Sequence, residues 1–137
     1  HKAKYLEKIP DQARRARQEA VYRDGLGAKI VVNAIRTFNK FIQDLESDLK
    51  THDFIAGPDY SLADIAATPY VNRLEALKLL DVWKDAAPRV INWFDNIRQR
   101  PSFQAAVVAY LTDADILQFT SIDDSVAVKA REILKER

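Results

Sequence analysis

Residues 60–65 read YSLADI, and this stretch carries the strongest local structural signal of the sequence. The hydroxyl of Ser61 can accept a hydrogen bond from the backbone N–H of Asp64, and the Asp64 carboxylate can reach back to the N–H of Ser61. Tyr60 and Ile65 occupy the two positions of a hydrophobic staple around this capping box. The negative charge of Asp64 also suits the positive end of a helix dipole. The stretch therefore predicts a helix that begins directly after Ser61.

Helical periodicity extends outward from this box over nearly the whole sequence. In segment 28–50, apolar residues recur at alternating steps of four and three, which is typical of one buried stripe on a long helix. The members of this stripe are Val31, Ile35, Phe38, Ile42, Leu45 and Leu49. On the polar side, Glu46 and Lys50 are spaced as an i,i+4 ion pair. No segment alternates as a strand does, so we expect an all-α fold, a right-handed helical bundle with the capped helix near its centre.

Prolines and glycines indicate the helix boundaries. Pro10 suits a first helical position, Gly25 suits the residue past a helix end, and Pro101 disfavours helix at the residue before it. Pro69 falls inside the capped helix, where it predicts a tolerated kink or one that shapes a pocket. The predicted helices comprise residues 10–24, 28–50, 62–80, 88–100, 102–110 and 125–136. Residues 111–124 are predicted to be irregular.

Composition excludes several classes of function. The chain has 137 residues and a formal net charge of +1, which suits one soluble domain and gives no field for nucleic acid or anionic lipid. No apolar run reaches the ~20 residues that a membrane-spanning helix needs. There is no cysteine, so the chain has no disulfide, thiolate metal site or cysteine nucleophile. Methionine is also absent, even at position 1, and we expect the sequence to begin inside a longer protein.

Several short stretches around the box occur together in one known family. In chain order they are FIAG (54–57), YSLADIA (60–66), TPYV (68–71), PRV (88–90), WF (93–94) and RPSF (100–103). Together with the long helix before them, they resemble the C-terminal helical domain of cytosolic glutathione transferases, over residues 10–106. The start, with Ile9-Pro10, the run RRAR at 14–17 and Gly25, is most similar to bacterial members that include aryl-ether-cleaving lyases.

The resemblance implies the helical half of a glutathione-dependent enzyme. The family's N-terminal thioredoxin-like domain, which holds glutathione and the residue that activates its thiol, is absent from this sequence. One domain over residues 1–137 is expected, with 1–9 as the end of a truncated first helix and 111–137 as an irregular tail and a last helix. The implied co-substrate is glutathione, the partner molecule is a small hydrophobic electrophile, and the full-length protein is expected to be a cytoplasmic homodimer.

Candidate substrate-binding residues also follow from the resemblance. Tyr70 and Arg73 lie on the capped helix, on the stretch that passes close to the acceptor-substrate pocket in this family. Phe119 lies in the tail, which in some members folds over the mouth of the active site. The alternative for each of these residues is packing or an exposed position on the bundle. No catalytic residue is assigned within the chain.

The other groups of polar and charged residues do not form a recognisable catalytic, metal-binding or nucleic-acid-binding pattern. His52 and Asp53 are adjacent, but no serine sits in the strained turn that a nucleophile of this kind needs. His1 and His52 do not have a metal-ligand spacing. Asp113, Asp115, Asp123 and Asp124 lack the spacing and the glycine of a calcium loop. The basic residues of the first 17 positions have few aromatic neighbours, so a solvated helix face is favoured over nucleic-acid binding.

A second function class remains open from the sequence. Similar helical domains serve as non-catalytic protein-interaction modules in some translation factors and synthetase complexes. A thioredoxin-like segment encoded before His1 favours the enzyme, whereas its absence favours the module.

Overall fold

Helices account for most of residues 2–136, the part of the chain that the computed structural model describes. No strand forms within this range, where residues 54 and 57 make one isolated bridge. The all-α prediction is therefore confirmed. The α-helices are α1 Lys2–Glu7, α2 Gln12–Asp24, α3 Lys29–Asp48, α4 Leu62–Ala76, α5 Pro88–Arg98, α6 Pro101–Ala106, α7 Asp113–Thr120 and α8 Ser125–Lys135. Three 3₁₀ turns lie at Gly25–Gly27, Leu80–Trp83 and Val108–Tyr110.

Helix α4 begins directly after Ser61, as its capping residues predict. The reciprocal capping box of Ser61 and Asp64 is present, with the Asp64 carboxylate accepting from the Ser61 N–H at 2.9 Å. The Ser61 hydroxyl accepts from the N–H of Ala63 at 3.2 Å. The inner side of α4 buries five residues, which recur at steps of three, one, three and three positions: Asp64, Ala67, Thr68, Val71 and Leu74. The helix continues through Pro69 without a break.

The main core is formed where α3, α4 and α5 meet. Buried members come from α3 (Ile42, Leu45, Leu49), α4 (Val71, Leu74) and α5 (Val90, Trp93, Phe94, Ile97). A smaller cluster joins Ile35 of α3 to Ala130 and Ile133 of α8. The apolar stripe of α3 therefore contributes to both clusters, and burial of these apolar side chains stabilises the domain.

The end of α4 differs from the prediction of a helix to residue 80. The N–H of Lys78 donates to the carbonyl of Glu75 at 2.9 Å, and the N–H of Leu79 donates to that of Leu74 at 2.8 Å. This pair of bonds is a Schellman motif, which stops the helix. Lys78 adopts a φ of 54°, the left-handed conformation that glycine normally supplies. Because Lys78 takes the place of a glycine here, the sequence contains no local signal for this helix end.

Residues 111–124 are also not irregular as predicted, because α7 occupies their centre. Thr112 and Asp115 form a second reciprocal capping box, with the Asp115 carboxylate accepting from the Thr112 N–H at 3.0 Å. The tail of the domain is thus one further helix followed by a short connection to α8.

The predicted ion pair of Glu46 and Lys50 is absent, because Glu46 has a tertiary partner. Its carboxylate accepts from the backbone N–H groups of Arg89 at 2.9 Å and Val90 at 3.0 Å, and from the Arg89 guanidinium at 2.8 Å. The first turn of any helix has N–H groups without helical partners. Glu46 therefore caps α5 from α3, which is worth more than an exposed pair on one helix.

Helix α2 is attached to the bundle at its surface. Asp11 caps it by accepting from the N–H of Arg14, so the helix starts at Gln12, two residues after the predicted start. Arg15 reaches back to the carbonyl of Ile9 at 2.6 Å. No residue of α2 is buried. Of the segment 1–9 predicted as the end of a first helix, Lys2–Glu7 is helical, and His1 lies outside the described residues.

Candidate functional site

An apolar cavity of about 390 Å³ lies between α3, the end of α4 and the tail. We call it the Arg73 cavity, after the charged residue in its lining. It forms because the stripe of α3 extends beyond the part that α4 covers, and because the stop after α4 brings the 3₁₀ turn of Trp83 to its far wall. Its apolar wall includes Val31, Ile35, Phe38, Leu74, Leu77 and Trp83. Ile122 and Val126 complete the lining from the tail and α8.

The structure brings together two of the three predicted substrate-binding residues. The guanidinium carbon of Arg73 lies 5.9 Å from the centre of the Phe119 ring, within reach of a cation–π interaction. Arg73 lines the cavity and is also exposed, so its side chain is at the cavity rim. Phe119 is half-buried on α7 and contacts Arg73 from outside the cavity lining. Their position fits the predicted role, which remains a prediction.

Tyr70, the third of these residues, is outside the cavity lining. Its side chain is 58% exposed, and its ring meets the ring of Phe41 edge-on at 5.9 Å. Phe41 in turn meets Phe38 edge-on at 6.3 Å, and Phe38 belongs to the cavity wall. Tyr70 is therefore separated from the cavity by two aromatic rings, and its effect on a bound molecule can only be indirect in this arrangement.

The polar groups of the cavity are few. The indole N–H of Trp83 points to another partner, because it donates to Oδ1 of Asn39 at 2.8 Å. Lys78 donates to the carbonyl of Ile122 at 2.6 Å, which fixes the tail residue in the wall. Arg73 is the one charged side chain in the described lining. The cavity can thus hold an apolar molecule of ring size, with one cation at the rim.

Asp64 is a structural group that lies outside this cavity. It has no exposed surface, and it accepts four hydrogen bonds, from the Ile55 N–H, the Trp93 indole, and both the N–H and the hydroxyl of Ser61. Burial acts to raise the pKa of the Asp64 carboxyl, but the hydrogen bonds from Ile55, Trp93 and Ser61 outweigh it and hold this pKa below its usual value. Among the described residues no cation pairs with this buried anion, which is stabilised by hydrogen-bond donors.

A second apolar cavity, of about 420 Å³, lies at the other end of α4 against α6. We call it the Tyr60 cavity. Tyr60 and Ile65, the predicted staple, both line it, together with Pro69, Phe103 and Val107. Ile65 is 50% exposed, and the staple contact between these two side chains stays a prediction. Sequence reasoning missed the cavity, because α6 reaches it only through the tertiary fold.

The remaining sequence candidates do not form a reactive centre. His52 and Asp53 are exposed and line a small recess of about 180 Å³ with Arg89, Asn92 and Trp93. Asp115 belongs to the capping box of α7 and accepts from the N–H of Thr112, and Asp123 accepts from the N–H of Ser125 just before α8. Within residues 2–136, no group of histidine and acidic side chains is placed to hold a metal ion. In the same range, no helix combines the length and the apolar character required to cross a bilayer.

Comparison with known proteins places this helical arrangement in a family. The family model described as "Glutathione S-transferase, C-terminal domain" matches residues 12–96, from the first residue of α2 to near the end of α5. This is well over half of the chain. The chain belongs to the glutathione S-transferase C-terminal domain family. The match includes Tyr70 and Arg73, whereas Phe119 lies beyond it.

This glutathione S-transferase domain is also similar to one curated protein with a stated activity. The tetrachloro-p-hydroquinone reductive dehalogenase of Sphingobium chlorophenolicum is 32% identical over 81 residues. The match covers 59% of this chain and 32% of the dehalogenase, so the chain corresponds to about a third of that relative. No solved structure matches the chain.

The family description names glutathione, so the lining of the Arg73 cavity can be compared with that molecule. Glutathione carries two carboxylates, an ammonium group and two peptide groups, each of which needs a polar partner when bound. The Arg73 cavity has an apolar wall and a single cation in its described lining. These residues therefore suit a hydrophobic partner molecule, and they do not suit the tripeptide itself.

Proposed function

We propose that this chain is the substrate-pocket and dimerisation domain of a glutathione S-transferase-like enzyme, which conjugates or cleaves a hydrophobic electrophile with glutathione. One observation carries the proposal: the Arg73 cavity, about 390 Å³ with an apolar wall, has the size and lining of a site for a small apolar molecule. Burial of an aromatic ring there is favourable by roughly 25 cal/mol for each Å² removed from water.

The domain contributes position to the reaction. Glutathione, when bound by the rest of the enzyme, supplies the thiolate that attacks the electrophile. The rings of Phe38 and Trp83 belong to the wall that holds the electrophile, and Arg73 with Phe119 limits its movement at the rim. When one reactant is held in this way, its binding energy offsets the entropy that the two reactants lose on coming together. This can increase the rate by several orders of magnitude.

The relative with a stated activity supports a halogenated ring as the electrophile. Its printed name describes reductive dehalogenation of tetrachloro-p-hydroquinone. A chlorinated ring is flat and apolar, which suits a cavity bounded by Phe38, Trp83 and aliphatic side chains. We therefore propose that polychlorinated phenols and hydroquinones are among the molecules that this enzyme accepts.

The proposed dimer contact is the open side of α2 and α3. A shallow groove there is lined by Ala16, Ala20 and Ile30, and Ile30 is 41% exposed. Replacing it in Ile30→Asp is expected to give a monomer by sedimentation velocity. Leu117→Asp is the matched control, because Leu117 is an even more exposed apolar residue, on α7. A dimer that survives Ile30→Asp would place the contact elsewhere.

The test of the pocket fills one cavity at a time in the full-length protein. Ala34→Trp adds a large side chain to the Arg73 cavity, and Ala106→Trp adds the same side chain to the Tyr60 cavity. Both alanines are exposed, so the two variants carry a similar folding risk. Ala34→Trp is expected to raise KM for a polychlorinated hydroquinone at least tenfold while KM for glutathione stays unchanged. Equal effects of the two variants on KM would contradict the proposal.

A further inference from the structure

The guanidinium of Arg73 is unpaired, although its charged neighbours are paired. Among residues 2–136 it makes no ion pair or hydrogen bond, and its one side-chain partner is the ring of Phe119. The nearest acid along α4, Glu75, is held by Arg98 at 3.3 Å. The next cation, Lys78, lies 3.5 Å from the carboxylate of Asp124. Among the described residues, no acidic side chain forms an ion pair with Arg73.

On its cavity side, this exposed cation is surrounded by apolar residues. The described lining of the Arg73 cavity contains no second charged residue. The indole N–H of Trp83, which also lines the cavity, already donates to Asn39. Charge attraction is stronger beside apolar walls than in open water. A guanidinium also presents parallel N–H groups, which match the lone pairs of a planar oxyanion. A ligand with a ring in the cavity and an oxyanion at the rim would satisfy both features together.

We propose that Arg73 makes this site selective for aromatic oxyanions, specifically ionised phenols. The proposal rests on the proposed function, since it assigns a substrate class to the same cavity. The ring of the phenolate lies against the apolar wall, and its oxygen accepts from the Arg73 guanidinium. The ring of Phe119, whose centre lies 5.9 Å from the guanidinium carbon, helps to hold the guanidinium at the rim. Arg73 is thus a specificity-determining residue, and no covalent step depends on it.

The experiment compares binding of two ligands that differ in charge and share one ring. The probe is 2,6-dichloro-4-nitrophenol, which is ionised at neutral pH, and its partner is the methyl ether of the same compound. Affinity is measured by equilibrium dialysis with the full-length protein, in the absence of glutathione. The variants are Arg73→Gln, the charge-matched control Arg14→Gln on the exposed surface of α2, and the cavity-filling Ala34→Trp.

The expected result is a preference that depends on Arg73. The phenolate should bind the unaltered protein about tenfold more tightly than the ether, as one charge-assisted hydrogen bond implies. Arg73→Gln should remove this preference and leave the affinity for the ether unchanged, whereas Arg14→Gln should keep the preference. Arg73 is exposed, so its replacement leaves the core intact, and an unchanged urea unfolding midpoint verifies this.

Two other results would overturn the inference, and they are distinguishable. If both ligands bind equally well, or if Arg73→Gln keeps the preference, the charge selectivity is wrong. Where Ala34→Trp still abolishes binding of both ligands, the cavity nevertheless holds the ring, and the proposed function stands. If neither ligand binds, or if Ala34→Trp has no effect, the proposed function fails together with the inference.

Discussion

The indole Nε1 of Trp93 donates a hydrogen bond of 2.9 Å to Oδ1 of Asp64, which joins α5 to the first turn of α4 in the centre of the core. The same oxygen accepts from the N–H of Ile55 at 3.1 Å, in the loop before α4. A single carboxylate therefore fixes the loop, the start of α4 and the middle of α5 relative to one another. Its charge is compensated by hydrogen-bond donors and by the helix dipole, and no cation of the described part of the chain pairs with it.

Replacing Trp93 by phenylalanine should cost more stability than the same change at Trp83. Both indoles are buried, with 2% and 3% of their surface exposed. Trp93→Phe removes a bond to a charged acceptor, worth about 1.5–3 kcal/mol, whereas Trp83→Phe removes a bond to the neutral Asn39, worth about 1 kcal/mol. The free energies of unfolding, measured by urea denaturation, give the comparison directly. Equal losses would show that the charge of Asp64 adds nothing to this bond.

Asp64→Asn should destabilise the domain strongly, although the two side chains have nearly the same shape. Each carboxylate oxygen accepts two hydrogen bonds, and an amide must place its NH₂ group against one of these pairs of donors. We expect a loss of about 3 kcal/mol or more, because several buried donors are left unsatisfied. Asp115→Asn is the control, since it alters the same kind of capping box on the exposed helix α7, and its unfolding midpoint should shift much less. Similar shifts in both variants would mean that burial does not matter.

Acid should weaken the domain through Asp64. The pKa of this carboxyl is lowered in the folded state, so the unfolded chain binds the proton at a higher pH than the folded chain does. The stability contributed by Asp64 is then fully present above the unfolded value of about 4, and it is lost as the pH falls through the lower folded value. The urea midpoint of the unaltered protein should fall steeply below about pH 4. Asp64→Asn should give a shallower dependence, and an identical slope would contradict the argument.

Glu46 should contribute more than a neighbouring acid on the same helix. Its carboxylate is 12% exposed and caps α5, so Glu46→Ala should cost about 1–2 kcal/mol, as the loss of a good helix cap does. Asp44 forms an exposed i,i+4 pair with Lys40, and Asp44→Ala should change stability by less than about 0.5 kcal/mol. Thermal or urea unfolding of the two variants measures both effects. A negligible cost for Glu46→Ala would show that water replaces the cap.

The fold was predictable where its signals are local. The box of Ser61 and Asp64 lies within four residues, and the stripe of α3 repeats along one helix, so both could be recognised without tertiary information. The same pattern in Thr112 and Asp115 was equally readable, and the prediction of an irregular tail was wrong because it was not applied there. The end of α4 gave no comparable signal, since Lys78 adopts the conformation in which glycine is expected.

The site was predictable only in part, because it depends on distant contacts. The family resemblance singled out Arg73 and Phe119, which the fold brings together across 46 positions of sequence. It also singled out Tyr70, whose ring packs on Phe41 instead. The cavity wall combines α3, α4, a 3₁₀ turn and the tail, and no local pattern predicts which of their residues face one space. The partner of Glu46 was missed for the same reason, since Arg89 lies 43 positions away.

Helix α2, none of whose residues is buried, gives the domain two levels of stability. Apolar burial is what makes a helix resist opening, so α2 can unfold locally while the core of α3, α4 and α5 stays intact. Its backbone amides should therefore exchange with deuterium far sooner than those of α4. If another protein surface binds to α2 and α3, it should slow this exchange even when the global unfolding temperature is unchanged. The rate of amide exchange in α2 should therefore respond to association more than that in the core helices, because α2 is the helix that a partner would stabilise most.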